Sequence, residues 1–569
     1  MQGGTAVFAE PPQTVPNWIF PFMSLANFSV INMSDFQYLM YRPLYYFGVG
    51  ENPVLNTTKS LAEQPVFSDG GKTVTITLKP YKWSDGTAVT STDVMFWLNM
   101  MKAEKANWAA YVPGAIPDNI TAMKIVNAST IQLTLGAAYS QQWYTFNELS
   151  QVTPMPPAWD KTASGPSSCA TTESDCDAVY KYLTAQSKEL TSYATSPLWS
   201  VVDGPWKLSE FNSDGHVTFV PNTAYSGPDK PKLDKFKEVP FTTDTAEYNV
   251  IRSGSQTVQV GFIPQQDIVA PTTDPTVAGP NPLSANFYMA PWIGFSINYF
   301  PMNFTNPTTG PIFKQLYFRQ AFQHLIDQKD VIQSAMKGYG YLTTGPIPLL
   351  PKSNLVPADL QQDPFPLDIN AAKQLLTSHG WTIPSSGAAT CTKPGTGAGD
   401  CGAGIKAGQK LEFNLQYASG TGWITTLMES LKSNASQAGI VVNLSTGTFN
   451  TVVAKAVPTD HTWDMQNWGG GWVFAPDYYP TGGEIFATGA GSNSGAYTDA
   501  TNDANIKATH TTSGVGVLHT YADYLAKQLP VFWTPNADYE LTEVANNLRG
   551  VVPQNVYLNI SPEDWYYVK

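Results

Sequence analysis

The chain has 569 residues and a formal net charge of −13, from 32 basic and 45 acidic side chains. This balance argues against a nucleic-acid partner, because phosphate binding needs a basic face. The length exceeds what one core sustains, so two to four domains are expected. Charged residues make up only 14%, which suits a secreted protein. No basic and apolar leader opens the sequence, so the chain is either cytosolic or separated from its export signal.

The first part of the chain predicts strands followed by a helix. Residues 3–9 and 72–79 are the first strand candidates, and threonines alternate with apolar residues in the second of them. Thr90 and Asp93 then resemble a capping box. The predicted helix behind that box has an apolar face, formed by Val94, Trp97, Leu98 and Met101.

Further elements alternate along the rest of the chain. Residues 122–135 predict strands, and 160–200 form a Ser- and Thr-rich insertion. Residues 313–337 predict two helices that Gly338 ends, and another helix runs from near Asp368 to Gly380. A strand, a helix and a strand follow in residues 411–446. This alternation predicts an α/β fold with mixed sheets.

Four cysteines form two local pairs in flexible loops: Cys169 with Cys176, and Cys391 with Cys401. Four cysteines allow three connectivities, of which local pairing is the simplest. Free thiols and a zinc site are the alternatives, although neither pair has CxxC spacing and no His is nearby. Disulfides would indicate an oxidising compartment.

The segment 468–486, "WGGGWVFAPDYYPTGGEIF", has the composition of a binding surface. Three glycines without Cβ atoms let a ligand backbone approach closely. The flanking tryptophans offer flat apolar walls at little entropic cost. A tight turn with core aromatics, and an acid that caps a helix, is the structural alternative. The predicted ligand contacts here are Trp468, Gly469, Gly470, Gly471, Trp472, Asp477, Tyr478 and Tyr479.

Nine stretches of the chain follow one known family in the same order. They are "WSDGTAVTSTDV" (83–94), "GPWKL" (204–208), "PNTAYSG" (221–227), "FRQAFQHLIDQKDVI" (318–332), "DINAAKQLLTSHGW" (368–381), "QAGIVV" (437–442), "WDMQNWGGGW" (463–472), "APDYYP" (475–480) and "QLPVFW" (528–533). On these stretches the chain resembles the family 5 extracellular solute-binding proteins, the oligopeptide- and dipeptide-binding components of ABC importers.

The resemblance implies a type II periplasmic-binding-protein fold with two lobes, a hinge and an extra domain. It implies that lobe I is assembled from three separate segments. It also implies a lipoprotein that works outside the cytoplasm, anchored through a lipid that this chain does not carry. The expected boundaries are 1–35, 198–268 and 533–569 for lobe I, 36–197 for the extra domain and 269–532 for lobe II.

The resemblance further implies a monomeric receptor that captures peptides and delivers them to ABC permease subunits. Asp477 is then the candidate partner of a peptide α-ammonium group, and Asn298 corresponds to a strand-end asparagine that faces the cleft. No cofactor or metal is implied, and no enzymatic activity. An oligosaccharide is the alternative solute, because low charge and abundant tryptophan suit a sugar.

A carbohydrate-active enzyme is the rival from another class. Such enzymes need two carboxylates at a set separation, and Asp477 and Glu484 are the nearest pair in this segment. The sequence has no GxSxG, HExxH or GxxxxGK[ST] motif, which argues against the corresponding catalytic sites.

Overall fold

The computed structural model describes residues 3–268, 271–277, 279–537 and 540–569. The prediction of an α/β chain with mixed sheets is confirmed. Within the described ranges, no helix is long and apolar enough to cross a membrane.

The largest sheet has seven strands and draws on distant parts of the chain. Thr5–Ala9 lies near its centre and pairs in parallel with a strand on each side, while the remaining pairs are antiparallel. In spatial order the strands are Trp206–Phe211, Val217–Pro221, Lys235–Val239, Thr5–Ala9, Val260–Ile263, Glu540–Ala545 and Phe287–Trp292. This sheet and its helix Asp244–Arg252 are called the large-sheet lobe below.

A second, smaller sheet is wholly parallel. Its three strands in spatial order are Val441–Gly447, Glu412–Ala418 and Met465–Asn467. The helix Gly422–Gln437 is the crossover between the first two strands of this order, and its apolar residues pack onto the sheet. This sheet, with the helices Gly422–Gln437 and Phe449–Lys455, is called the small-sheet lobe below.

A third, four-stranded antiparallel sheet lies in the early part of the chain. Its strands in spatial order are Val66–Ser68, Thr73–Thr77, Thr130–Leu135 and Ile120–Asn127. The helix Ser91–Glu104 packs on it, and the predicted capping box of Thr90 and Asp93 is present at its start. The remaining strands form seven two-stranded pairs: 46–49 with 52–56, 161–162 with 165–166, 296–297 with 472–473, 299–301 with 531–533, 340–341 with 536–537, 381–382 with 390–391 and 548–549 with 566–567.

The other helices are mostly short and lie in both halves of the chain. Two stretches, Ile31–Gln37 and Tyr144–Glu148, are wound as π-helix. The remaining α-helices are Tyr38–Met40, Gln141–Trp143, Cys176–Ser187, Gly310–Phe313, Leu316–Gln323, Gln328–Ser334, Ile369–Ser378, Gly483–Phe486, Ala500–Thr511 and Val515–Gln528.

Both cysteine pairs are disulfides, Cys169–Cys176 and Cys391–Cys401, as local pairing predicts. Neither pair is therefore a zinc site. In the described residues, no group of three or more His, Cys, Asp or Glu side chains is placed to hold a metal. The insertion at 160–200 is not only a loop, because the helix Cys176–Ser187 packs against the helix Ser91–Glu104.

The predicted lobe boundaries stay a prediction, with one observation that bears on them. The strand Phe287–Trp292 pairs with Glu540–Ala545 inside the seven-stranded sheet. The large sheet therefore continues past residue 269, where the second lobe was expected to begin.

Candidate functional site

A cleft of about 1700 Å³, open to solvent, lies where the two lobes face each other. The large-sheet lobe contributes one wall and the small-sheet lobe the opposite wall. The lining comes from the segments 11–14, 25–33, 244–247, 262–265, 294–299, 418–424, 449–456, 468–475, 492–494 and 536–537, with Leu558.

The turn that follows the strand Met465–Asn467 forms part of the second wall. The indole Nε1 of Trp468 donates a hydrogen bond to the Gly471 carbonyl oxygen at 2.9 Å. The Gly469 N–H donates to Oδ1 of Asn467 at 2.8 Å. These two bonds hold the glycine turn in one conformation, because each joins a rigid side chain to its flexible backbone.

The three glycines serve different purposes. Gly469 and Gly471 have positive φ values of 88° and 55°, which favour glycine. A Cβ atom at Gly469 would collide with the Ile424 side chain, and one at Gly471 would collide with the Ile297 carbonyl. A Cβ atom at Gly470 would lie 3.9 Å from its nearest neighbour, which is ordinary contact. Chain packing therefore explains two of the glycines, and only Gly470 faces open space.

Both tryptophans line the cleft. The ring of Trp472 stacks on Phe28 with centroids 5.7 Å apart and planes at 24°. The ring of Trp468 meets Tyr299 edge-on at 5.7 Å. Trp472 is 7% exposed, so it is a wall held by its neighbours rather than a free side chain.

Asp477 lies in the wall and is not among the lining residues. Its carboxylate is fully buried and accepts the Trp472 Nε1–H at 3.0 Å and 3.1 Å. Burial raises the pKa of Asp477 to about 8, against the lowering effect of a hydrogen bond with Glu484. Burial and the Asp477 charge also raise the pKa of Glu484. The predicted pairing of Asp477 with a ligand amine stays a prediction, and its observed partners are inside the protein.

Tyr478 and Tyr479 also lie outside the lining. Tyr478 stacks on Phe47 at 4.0 Å and meets Tyr557 at 4.6 Å. The backbone of Tyr479 exchanges two hydrogen bonds, both of 2.9 Å, with the side chain of Asn147. The structure thus gives both tyrosines packing roles that attach this loop to the early part of the chain. Their predicted contact with ligand stays untested.

Asn298 lines the cleft at the end of the strand pair that includes Trp472–Val473. Its Nδ2 group donates to the carbonyl oxygens of Gly469 at 3.1 Å and Pro535 at 3.0 Å. Its Oδ1 atom is buried without a hydrogen-bond partner in the described residues. Asn298 therefore braces the glycine turn and keeps one unused acceptor.

Sequence reasoning missed most of the apolar lining. Phe28 and Val30 precede a π-helix, and Met33 lies in its first turn. Residues of a π-helix do not follow the period of an α-helix, so the sequence pattern does not reveal them. Trp423 and Phe449 begin helices and line the cleft from the small-sheet lobe. A tryptophan in the first turn of a predicted helix was the one local signal available for these positions.

Two carboxylates in the lining were also missed. Asp244 begins a helix of the large-sheet lobe, and its Oδ2 atom accepts the Gly422 N–H of the other lobe at 3.0 Å. Its N–H donates to the Gly420 carbonyl at 3.1 Å. Glu247, one turn on, accepts the Phe262 N–H at 2.7 Å. Burial raises the pKa of Glu247, with the nearby charges of Asp244 and Glu10 adding to the effect.

The fold and its cleft define a class, the two-lobed binding proteins that hold a solute between lobes. The solved structure of the oligopeptide-binding protein AppA from Bacillus subtilis with a nonapeptide covers 100% of this chain and 99% of its own, at 18% identity and TM-score 0.76. NikZ from Campylobacter jejuni, in complex with Ni(L-His), covers 99% of both chains at 18% identity and TM-score 0.69. The expected type II periplasmic-binding-protein fold is confirmed.

The family model described as "Bacterial extracellular solute-binding proteins, family 5 Middle" matches residues 56–490. The chain belongs to this family, and its members are solute-binding proteins rather than enzymes. A Brucella ovis protein provisionally described as an ABC transporter peptide-binding protein is 27% identical over 191 residues. That match covers 33% of this chain and 32% of the relative, so the chain spans about a third of that relative's length in the match.

Membership of this family also argues against the alternative of a carbohydrate-active enzyme. Asp477 and Glu484 are both buried, and the Asp477 charge raises the pKa of Glu484. Glycosidase carboxylates stand roughly 5 Å or more apart across a bound sugar. Neither Asp477 nor Glu484 is among the residues that line the cleft.

Proposed function

We propose that this protein captures oligopeptides in the interlobe cleft and delivers them to the permease of an ABC importer. The observation that carries the proposal is the cleft itself, whose apolar lining on two sides suits an extended chain with varied side chains. Trp468 and Trp472 offer flat surfaces that accept many shapes. Loose side-chain specificity follows.

Gly470 is the proposed point of contact with the peptide main chain. It is exposed, and neither its N–H nor its C=O makes a backbone hydrogen bond within the described residues. A peptide laid along this turn would receive a donor and an acceptor, the main-chain recognition used in β-augmentation. A shared backbone contact explains how one cleft would bind many sequences.

Closure of the lobes completes the proposed cycle. Asp244 of one lobe already caps the helix that starts at Gly422 of the other. A ligand that contacts both walls stabilises the closed form only by its additional contacts there. We also propose that the receptor works as a monomer outside the cytoplasm, held at the membrane by a lipid anchor.

The similar proteins support peptides, and they include a protein with a different solute. AppA is described with a nonapeptide and the Brucella relative as peptide-binding, whereas NikZ is described with a nickel–histidine complex. An oligosaccharide is the second candidate, favoured by the tryptophans Trp423, Trp468 and Trp472 in the lining.

The test is mass spectrometry of solutes that co-purify with the native protein, followed by titration of tryptophan fluorescence. We expect bound peptides, and an emission change with a peptide pool but none with cello- or xylo-oligosaccharides. The reverse result would assign the cleft to sugars.

A matched pair of variants tests the role of Gly470. Gly470→Val fills the open space at the turn and is expected to abolish the fluorescence response to peptides. Gly516→Val is the control, because Gly516 also has open space around it and no positive φ. Equal responses from both variants would contradict a main-chain contact at Gly470.

A further inference from the structure

The charged residues of the cleft lining are all acidic. Asp244 and Glu247 line it, whereas no Lys, Arg or His of the described residues does. The chain as a whole carries a net charge of −13, so its long-range field also repels anions. An anionic group that enters the cleft would lose its hydration without meeting an opposite charge.

Cations exist on the helices that build the walls, but they lie elsewhere. Arg252 is on the same helix as Glu247 and stacks over the Tyr248 ring at 5.5 Å. Lys455 is on the helix that begins at Phe449, and its Nζ pairs with Asp460 at 2.7 Å. Lys432 is exposed on the helix Gly422–Gln437. None of the three lines the cleft.

The hydrogen-bonding groups of the lining show the same bias. Ser419 and Ser492 donate their hydroxyl protons to backbone carbonyls, as does Thr14. Both amide protons of Asn298 are used inside the protein, while its Oδ1 acceptor has no partner in the described residues. These four side chains therefore use their donors inside the protein, and one of them, Asn298, retains an acceptor.

We propose that the cleft selects apolar solutes that carry no negative charge inside it. Applied to peptides, this selection rests on the proposed function. The bound segment then has a neutral or positively charged N-terminus, and its carboxylate is blocked or lies outside the cleft. Aromatic and aliphatic side chains of the solute pack on Phe28, Trp423 and Trp468. The half-buried carboxylate of Asp244 favours an ammonium or amide donor at its end of the cleft.

The test uses three forms of the tetrapeptide Leu-Phe-Ala-Phe in isothermal titration calorimetry. The C-terminal amide with a free amine is a cation, the acetylated amide is neutral, and the acetylated acid is an anion. We expect the anion to bind at least about tenfold more weakly than the neutral form. The cation should bind as tightly as the neutral form or more tightly. Binding of the anion within about threefold of the neutral form would overturn the proposal.

The contribution of the Asp244 carboxylate is tested with the variant Asp244→Asn. We expect the preference for the cationic over the neutral peptide to disappear, while the anion stays weak. Glu51→Gln, which removes an exposed carboxylate outside the lining, should leave the order unchanged. An unchanged order of affinities in Asp244→Asn would remove Asp244 from the explanation.

Tryptamine and indole-3-propionate separate this proposal from the peptide function. They share an aromatic body and differ in charge. If no peptide binds and tryptamine binds better than indole-3-propionate, the peptide function fails and the charge selection stands. If peptides bind regardless of charge, the charge selection fails and the peptide function stands. If no probe binds, both are overturned.

Discussion

The stretches 468–472 and 477–479 are neighbours in sequence and each holds two aromatic residues, yet they have different environments. Trp468, Gly470 and Trp472 border the cleft, whereas Asp477 and the two tyrosines that follow lie inside the wall. Residue type alone thus does not identify a binding side chain. The buried stretch holds the exposed one in place, since the Asp477 carboxylate anchors the Trp472 indole.

The largest expected effect comes from the buried stretch. Tyr478→Ala removes a ring packed against Phe47 and Tyr557. The free energy of unfolding should fall by about 3–5 kcal/mol, because the cavity cannot close. Urea denaturation measures this loss. Peptide affinity of the folded fraction should stay within about twofold, and a large loss of affinity at unchanged stability would contradict the assignment of Tyr478 to the wall.

Substitutions at the neighbouring glycines Gly470 and Gly471 should have clearly different effects on the unfolding free energy. Gly471→Ala meets the Ile297 carbonyl at a positive φ, so it should cost about 2–3 kcal/mol of unfolding free energy. Gly470→Ala should change it by less than about 0.5 kcal/mol, since open space surrounds that position. Similar costs at both positions would show that the turn is rebuilt around any side chain.

The buried acid predicts a dependence of stability on pH. The pKa of Asp477 is about 8 in the folded protein and about 4 when unfolded. The folded state therefore holds a proton that the unfolded state releases between these values. This contribution is complete below about pH 4 and is lost as pH rises through about 8, with a slope of at most about 1.4 kcal/mol per pH unit.

Chemical denaturation of the wild type and of Asp477→Asn across pH 5 to 8 measures this contribution. We expect unfolding free energy to fall with pH, and to fall less steeply in the variant. Part of the pH dependence should remain in the variant, because burial raises the pKa of Glu148, Asp203 and Glu543 to about 8 as well. A variant as steep as the wild type would show that Asp477 does not hold the proton.

The smallest expected effect is a difference between two ligands. If Asp477 acts only through Trp472, then Asp477→Asn should weaken a free-amine peptide and its N-acetylated form equally, within about twofold. If it pairs with the ligand ammonium, as the family resemblance implies, the free-amine peptide should lose far more. Calorimetric titration of both peptides distinguishes the two.

Regular elements were predictable where local signals and burial agree. The helix Ser91–Glu104 combines a capping box with an apolar face, and the helix Ile369–Ser378 starts beside Asp368, where the sequence predicts it. The segment around Phe28 and Ile31–Gln37 was not predictable, because a π-helix follows neither the helical nor the strand period. That segment supplies part of the cleft wall.

By itself, the sequence determined the α/β class and the family, and it favoured the pairing of neighbouring cysteines, because these depend on order and spacing along the chain. The glycine turn stays a predicted ligand contact. Only the tertiary structure decided which side of the wall each residue faces. Asp244 and Glu247 line the cleft and Asp477 does not, because segments more than a hundred residues apart pack together there. Burial of a charge, and its distance from other charges, are properties of that packing and not of local sequence.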